Sequence, residues 1–225
     1  MMFVPSLTQW VTSQVAIGHD GFVNLFLFRK GKTMIAIDSG YRPRVVRTSL
    51  RRLKIDPASV SHLFLTHSDF DHAGALSVFP NAKLYVGKGE QPMIAGAMPR
   101  APRHFNKPLP RPAEWVADGE TVDADGISVY AVATPGHTPG STSWLVVGRH
   151  LFVGDALTLL FGKVRIMPAF INMDTGTHRE SIRMLAARML ASGGDDPLRG
   201  VKCLYTAHSG YTMEAGRAMR GWLAP

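Results

Sequence analysis

Cysteine is almost missing from this chain of 225 residues: the only one is Cys203. A single thiol excludes an internal disulfide framework, and its apolar setting, VKCLY, suits a small buried side chain. Long apolar runs are missing as well, and no stretch approaches the roughly 20 residues needed to cross a bilayer. No Lys or Arg precedes Arg29 in MMFVPSLTQWVTSQVAIGHDG, so the basic start of a secretory signal peptide is absent. The expectation is a cytoplasmic chain with no membrane partner. No GxGxxG follows a strand-like run, which argues against a Rossmann fold. Acidic residues are few, 17 against 25 Lys and Arg, for a formal charge of +8. The basic residues are spread through 42–54, 83–111 and 179–188 without any recognisable nucleic-acid module, so nucleic acid is not the expected partner.

What is present is apolar residues in short, ordered pieces. At 45% hydrophobic content the chain buries one core, and one domain over residues 1–225 is expected. FVNLFLFRKGKTMIAIDSG reads as a β-hairpin turning at Arg29 to Lys32 and closed by Asp38 and Gly40. RPRVVRTSLRRLKI carries Val45, Val46, Leu50 and Leu53 at helical spacing. VSHLFLT is a short strand, AGALSVF a helix start and KLYVG another strand. ISVYAVAT and STSWLVV are strands on either side of PGHTPG, and HLFVGDAL is a strand ending at Asp155. Thr177 to Leu190 places Ile182, Met184, Leu185, Met189 and Leu190 among arginines, as an amphipathic helix packed on a sheet would. VKCLYT is a last strand leading into AHSG. Strands dominate each half and a helix ends each half, which indicates a layered α/β sandwich.

Between Lys88 and Glu120 the prolines 92, 99, 102, 108, 110 and 112 are expected to interrupt any regular element. The segment reads as a solvated loop or insertion, or as a lid. Its Lys88, Arg100, Arg103, His104, Lys107 and Arg111 would favour an anionic small-molecule substrate if it closes over a site.

The chemistry is concentrated in HSDFDH. His67, Asp69, Asp71 and His72 are four ligand-competent side chains within six residues, directly after an apolar strand. Read alone, the segment also fits a solvated loop or a helix cap. Buried together, however, Asp69 and Asp71 would repel each other, a penalty that a cation removes. His137 in TPGHTPGS, Asp155 in FVGDAL and His208 in TAHSG each follow a strand and come in the order His, Asp, His.

These residues resemble the metallo-β-lactamase superfamily, whose usual series is HxHxDH, then His after a Pro-Gly turn, then Asp, then His. NLFLF with IAIDSG, LTHSDFDHAGA, TPGHTPGS, FVGDAL and TAHSG follow that order along nearly the whole chain. The resemblance implies a four-layer αββα sandwich of two mixed sheets flanked by helices. It implies a first metal on His67, Asp69 and His137, a second on Asp71, His72 and His208, and Asp155 bridging the two. It further implies hydrolysis of an ester, lactone, thioester or phosphoester by a hydroxide shared between two divalent ions, zinc first and iron or manganese as alternatives. Asp71 would orient that hydroxide or accept a proton.

The sequence departs from the pattern at Asp69, where the family usually carries histidine. A third carboxylate shifts preference from zinc toward harder metals and keeps open a non-haem di-iron redox, oxygen-binding or nitric oxide-binding protein of the same fold. It is also expected to make bound water less acidic, moving the pH optimum above neutral. His19, His62, His104, His150 and His178 read as surface or packing histidines, and Met167, Met173, Met184 and Met189 as gap fillers or pocket walls. Tyr211 lies close enough to His208 in sequence to reach the pocket.

Overall fold

A computed structural model describes residues 7–223. The signal-peptide expectation rests partly on residues 1–6, outside the described residues. The first sheet runs in chain order: Gln9–Trp10 (β1), Val15–His19 (β2), Asn24–Lys30 (β3), Thr33–Ile37 (β4), Val60–Leu65 (β5), Lys83–Gly87 (β6) and Glu114–Val116 (β7). Pairing is antiparallel from β1 to β4 and parallel from β4 to β7. The second sheet takes Thr121–Asp123 (β8), Ser128–Ala133 (β9), Thr142–Val146 (β10) and His150–Phe152 (β11). After a separate ribbon of Thr158–Leu160 (β12) and Lys163–Arg165 (β13), it is completed by Cys203–Thr206 (β14) and Gly210–Thr212 (β15). Its order is β15-β14-β11-β10-β9-β8, with β11 and β14 parallel and the other pairs antiparallel.

Two-residue alternation explains why the sheets stack. On β3, Leu25 and Leu27 face the cluster that contains Val46 and Leu50 of the helix Pro43–Arg52 (α1). Their neighbours Phe26 and Phe28 face the other sheet, where Trp144, Phe152 and Tyr205 meet them. Successive strand side chains point to opposite faces, so a strand covered on both sides reads as an unbroken apolar run. A third cluster joins Leu145, Leu151 and Leu204 to Ile182, Leu185 and Met189 of a long helix, Thr175–Leu190. Three apolar layers therefore separate four structural ones, and the fold is the αββα sandwich of two mixed sheets flanked by helices. No helix among the described residues is long and apolar enough to cross a membrane.

The hairpin turn expected at Arg29 to Lys32 is the two-residue loop Gly31–Lys32. Elsewhere the boundaries move. A short helix begins at Phe70 and ends at Ala73 (α2), ahead of AGALSVF, which contributes only a 3-10 turn at Leu76–Val78. Asp69 stands at the N-cap of that helix without a side-chain capping bond. The strand in HLFVGDAL stops at Phe152, and Asp155 lies on the 3-10 turn Gly154–Ala156. Two parts of the Pro-rich segment are regular: the helix Gln91–Ile94 (α3), with its proline in the first turn where no N–H is needed, and β7, which lies beyond Pro112. The long helix (α4) begins before Thr177, because Asp174 caps it by accepting from Thr177 N at 2.9 Å. Met184 on α4 is 59% exposed and does not belong to its apolar face. The last helix is Ala215–Met219 (α5).

Candidate metal centre

Parallel β11 and β14, with β9 antiparallel to β10 and β10 antiparallel to β11, point three strand ends of the second sheet to one edge. The loops beyond them carry His137, Asp155 and His208, and the loop beyond β5 of the first sheet brings His67 to His72 to the same edge. Two contacts lock the sheets together there. Thr142 N donates to Thr66 O at 2.9 Å, and the buried Trp144 indole donates to Leu65 O at 2.9 Å. Gly136, just before His137, has a φ of 130°, and a Cβ there would collide with the backbone of His178. Only glycine lets this turn lie so tightly on α4.

All seven side chains predicted from the sequence converge, and all are buried. Around Asp69 Oδ2 stand His67 Nε2 at 3.5 Å and His137 Nε2 at 3.2 Å. Around Asp71 Oδ2 stand His72 Nε2 at 3.6 Å and His208 Nε2 at 3.3 Å. Asp155 lies between the groups: its Oδ2 is 3.4 Å from His137 Nε2, while its Oδ1 is 3.3 Å from His72 Nε2 and 3.2 Å from His208 Nε2. Donors about 2.0–2.1 Å from a tetrahedral ion lie about 3.3 Å from one another, so these spacings fit first-row divalent ions. His67 Nε2, His72 Nε2 and Asp155 Oδ1 are buried with no hydrogen-bond partner, as ligand atoms aimed at a cation would be.

Each imidazole is oriented from behind. His72 Nδ1 donates to Asp38 Oδ2 at 2.8 Å, and Asp38 also accepts from Thr66 N at 2.8 Å and from Thr66 Oγ1. Since Thr66 Oγ1 donates to Asp38, it is free to accept from His67 Nδ1 at 3.1 Å. His137 Nδ1 pairs with Asn172 Oδ1 at 3.2 Å, and His208 Nδ1 with Phe22 O at 3.0 Å. With every Nδ1 on an acceptor, every Nε2 turns its lone pair to the centre. Asp38 holds a φ of 59°, a left-handed conformation that an aspartate tolerates better than most residues and that aims its carboxylate at His72.

The electrostatics match a site for positive charge. With no ion bound, burial pushes the His208 imidazole down, but the charge of Asp155 and the nearness of the Asp155 and Asp71 carboxylates more than reverse this, raising it to about 10. His72 is raised in the same way: the charges of Asp71, Asp38 and Asp155 overcome its burial. Burial raises the Asp69 carboxyl, yet the closeness of His137 and His67 and the charges of His67 and Arg100 leave it below the ordinary carboxylate range. Asp155 is lowered likewise, chiefly by His208 and His72 acting against burial.

Several residues that shape the site carry no sequence signal. Glu90 is fully buried and joins the two ligand loops: its Oε1 accepts from Ser68 N at 2.9 Å and Ser68 Oγ at 2.7 Å, its Oε2 from Thr138 Oγ1 at 2.9 Å and Gly140 N at 3.1 Å. A lone glutamate after VGKG gives no hint of burial. Arg100 and Asn106 of the Pro-rich segment both reach Asp69. Arg111 donates to Phe79 O at 2.7 Å, so it anchors the segment, while Arg103 and His104 are exposed. Tyr211 stacks on Tyr205 in the inter-sheet core. His62, His150 and His178 are packing residues, and His178, inside α4, contacts Ala156 O at 2.8 Å. A cavity of about 680 Å³ flanks the metal loop, with Ser68 and Asn106 beside Tyr41, Phe70, Phe105 and Leu109 on its walls.

Comparison with known proteins agrees with this geometry. The metallo-beta-lactamase superfamily model matches residues 19–190. The chain is 26% identical over 217 residues to the uncharacterized protein YobT of Bacillus subtilis, covering 88% of each. It is 32% identical over 170 residues to the N-acyl homoserine lactonase AttM of Azorhizobium caulinodans, over 66% of this chain and 62% of that protein. Among solved structures, a B3 metallo-beta-lactamase with an active-site glutamic acid superposes with a TM-score of 0.69 at 18% identity, over 98% of this chain and 87% of that one. A matched family model over most of the chain, the sandwich fold and the His/Asp edge together establish that this chain belongs to the metallo-β-lactamase superfamily and is a metal-dependent hydrolase.

Proposed function

We propose that the chain is a dinuclear hydrolase of an ester, lactone, thioester or phosphoester, with zinc as its first-choice metal. His67, Asp69 and His137 would hold one ion, Asp71, His72 and His208 the other, and Asp155 would bridge them. The observation that carries this reading is Asp155, whose two oxygens face separate imidazole groups at 3.2–3.4 Å. Two ions held there would supply a water acidified toward neutrality and a Lewis acid for the scissile oxygen.

The chain's own part is orientation and proton handling. Asp71, close to both His72 and His208, would orient the attacking water and take its proton. The Pro-rich segment covers the first group of ligands through Arg100 and Asn106, which limits water access from that side. Phe70, Phe105, Tyr41 and Leu109 offer an apolar wall for the part of a small-molecule substrate that does not react. Lactones head the substrate panel because AttM, the relative at 32% identity, is named as a lactonase.

The test combines elemental analysis of protein purified without added metal with a panel of chromogenic esters, lactones, thioesters and phosphodiesters. Two zinc ions per chain, hydrolysis of at least one class, and loss of both in Asp155→Asn are the expected results. Iron with visible absorption and no hydrolysis would replace this reading with the di-iron redox one.

A further inference from the structure

Asp69 stands where the family pattern has a neutral imidazole, and taken alone it adds a negative charge to the ligand ring. The structure supplies a counter-charge from a distant part of the chain. Arg100 Nε donates to both oxygens of Asp69 at 2.9 Å, its Nη2 lies 3.3 Å from His137 Nε2, and the same Nη2 donates to Ile171 O at 2.6 Å. The pair is largely shielded, with side-chain exposures of 16% for Arg100 and 12% for Asp69. Asn106 Nδ2 donates to Asp69 Oδ1 at 2.9 Å, leaving Oδ2 as the oxygen turned to His67 and His137. An ionised carboxylate has about four lone-pair sites, enough for Asn106, Arg100 and an ion together.

We infer that Arg100 is the charge partner of Asp69, and that the Asp69–Arg100 pair takes the electrical place of the single neutral histidine. This rests on the dinuclear metal reading. Three carboxylates and one guanidinium leave the same two net negative charges as the two carboxylates of the usual pattern. The expectation that Asp69 by itself makes bound water less acidic therefore lapses, because its charge is matched within hydrogen-bond distance. Arg100 is a positioning residue: it touches the ligands and is not assigned to the reacting atoms.

The donor set alone would favour zinc in Asp69→His, and the charge pairing favours the opposite. Asp69→His restores the family's ligand pattern, yet it leaves the Arg100 cation unpaired beside the first ion. Like charges at such range repel strongly in a shielded site. Removing Arg100 should therefore help zinc binding in the Asp69→His background.

The experiment is a double-mutant cycle of wild type, Asp69→His, Arg100→Gln and the double variant, read as zinc affinity by competition with a chelating indicator. Circular dichroism checks that each protein is folded, and Arg100→Met, which keeps the aliphatic stem, repeats the cycle if the glutamine variant is not. The double variant should bind zinc about tenfold or more tightly than Asp69→His, within the coupling range of residues in contact. Arg100→Lys should leave Asp69→His weak, since the charge is kept. A double variant that binds zinc no more tightly than Asp69→His overturns the inference, and so does a lysine variant that behaves like the glutamine one. A wild-type chain that binds no zinc removes the metal reading and this inference together. A wild-type chain that binds zinc, with a double variant no tighter than Asp69→His, removes only the inference.

Discussion

Replacing Glu90 by glutamine changes one atom type and almost no volume, yet it should disturb the metal edge from behind. The two carboxylate oxygens each face a backbone N–H, that of Ser68 on one side and that of Gly140 on the other. Neither N–H can act as an acceptor, so whichever way the new amide turns, its NH2 meets a donor. The hydroxyl on that side can turn and accept from the NH2, but the buried N–H is left without a partner, at a cost of about 2–4 kcal/mol with the lost carboxylate charge included. For a chain of this length each kcal/mol lowers the melting temperature by about 2–4 °C, so a fall of roughly 5–15 °C is expected. Thermal unfolding followed by circular dichroism, with and without excess zinc, measures the loss. Zinc affinity should fall too, since Ser68 and Thr138 adjoin His67, Asp69 and His137 in the chain. A Glu90→Gln protein that melts within 1 °C of wild type (against the roughly 5 °C minimum expected) and binds zinc equally well would refute the reasoning.

Asp38→Asn weakens the carboxylate behind His72 Nδ1, and zinc affinity in a competition titration should drop about 10–100-fold; an unchanged value would mean that Thr66 alone fixes the loop. Burial holds the His150 imidazole down at about 4, helped by Arg149, and burial does the same at His178 despite its bond to Ala156. Both remain neutral in the folded chain while the unfolded chain protonates from about pH 6.5, so stability should fall as pH drops from about 6.5 to about 4, by at most about 3 kcal/mol per residue. In metal-free protein His72 and His208 are raised by the carboxylates around them and act in the opposite sense; melting curves that are flat between pH 6.5 and 4 would contradict the acid-side effect. Trp144→Phe removes the indole donor to Leu65 O and should cost about 1–3 kcal/mol in chemical denaturation, with a larger loss of activity than of secondary structure. Prolonged chelation should abolish hydrolysis and lower the melting temperature, and added zinc should restore both; activity that survives complete metal removal would end the metal-hydroxide mechanism.

Much of this was legible in one dimension. Strands buried on both faces appear as the unbroken runs NLFLF and HLFL, and the amphipathic helices keep their spacing, because those patterns record local contact with an apolar layer. The seven His and Asp residues were legible as a candidate set through the family resemblance, helped by the position of their loops after apolar strands, where a sheet presents side chains to its edge. Asp38, Glu90, Arg100 and Asn106 were not legible. Each is an ordinary polar residue in a turn or a Pro-rich stretch, and its role depends on what lies opposite it after folding: His72 for Asp38, Ser68 and Gly140 for Glu90, and Asp69 for Arg100 and Asn106. Sequence by itself determined the layers and the candidate ligand types, since hydrophobic period and donor chemistry belong to the residues themselves. Only the tertiary structure decided which oxygen of Asp155 faces which imidazole and which cation answers Asp69, because a hydrogen bond or an ion pair exists only between groups that folding has brought within about 3 Å.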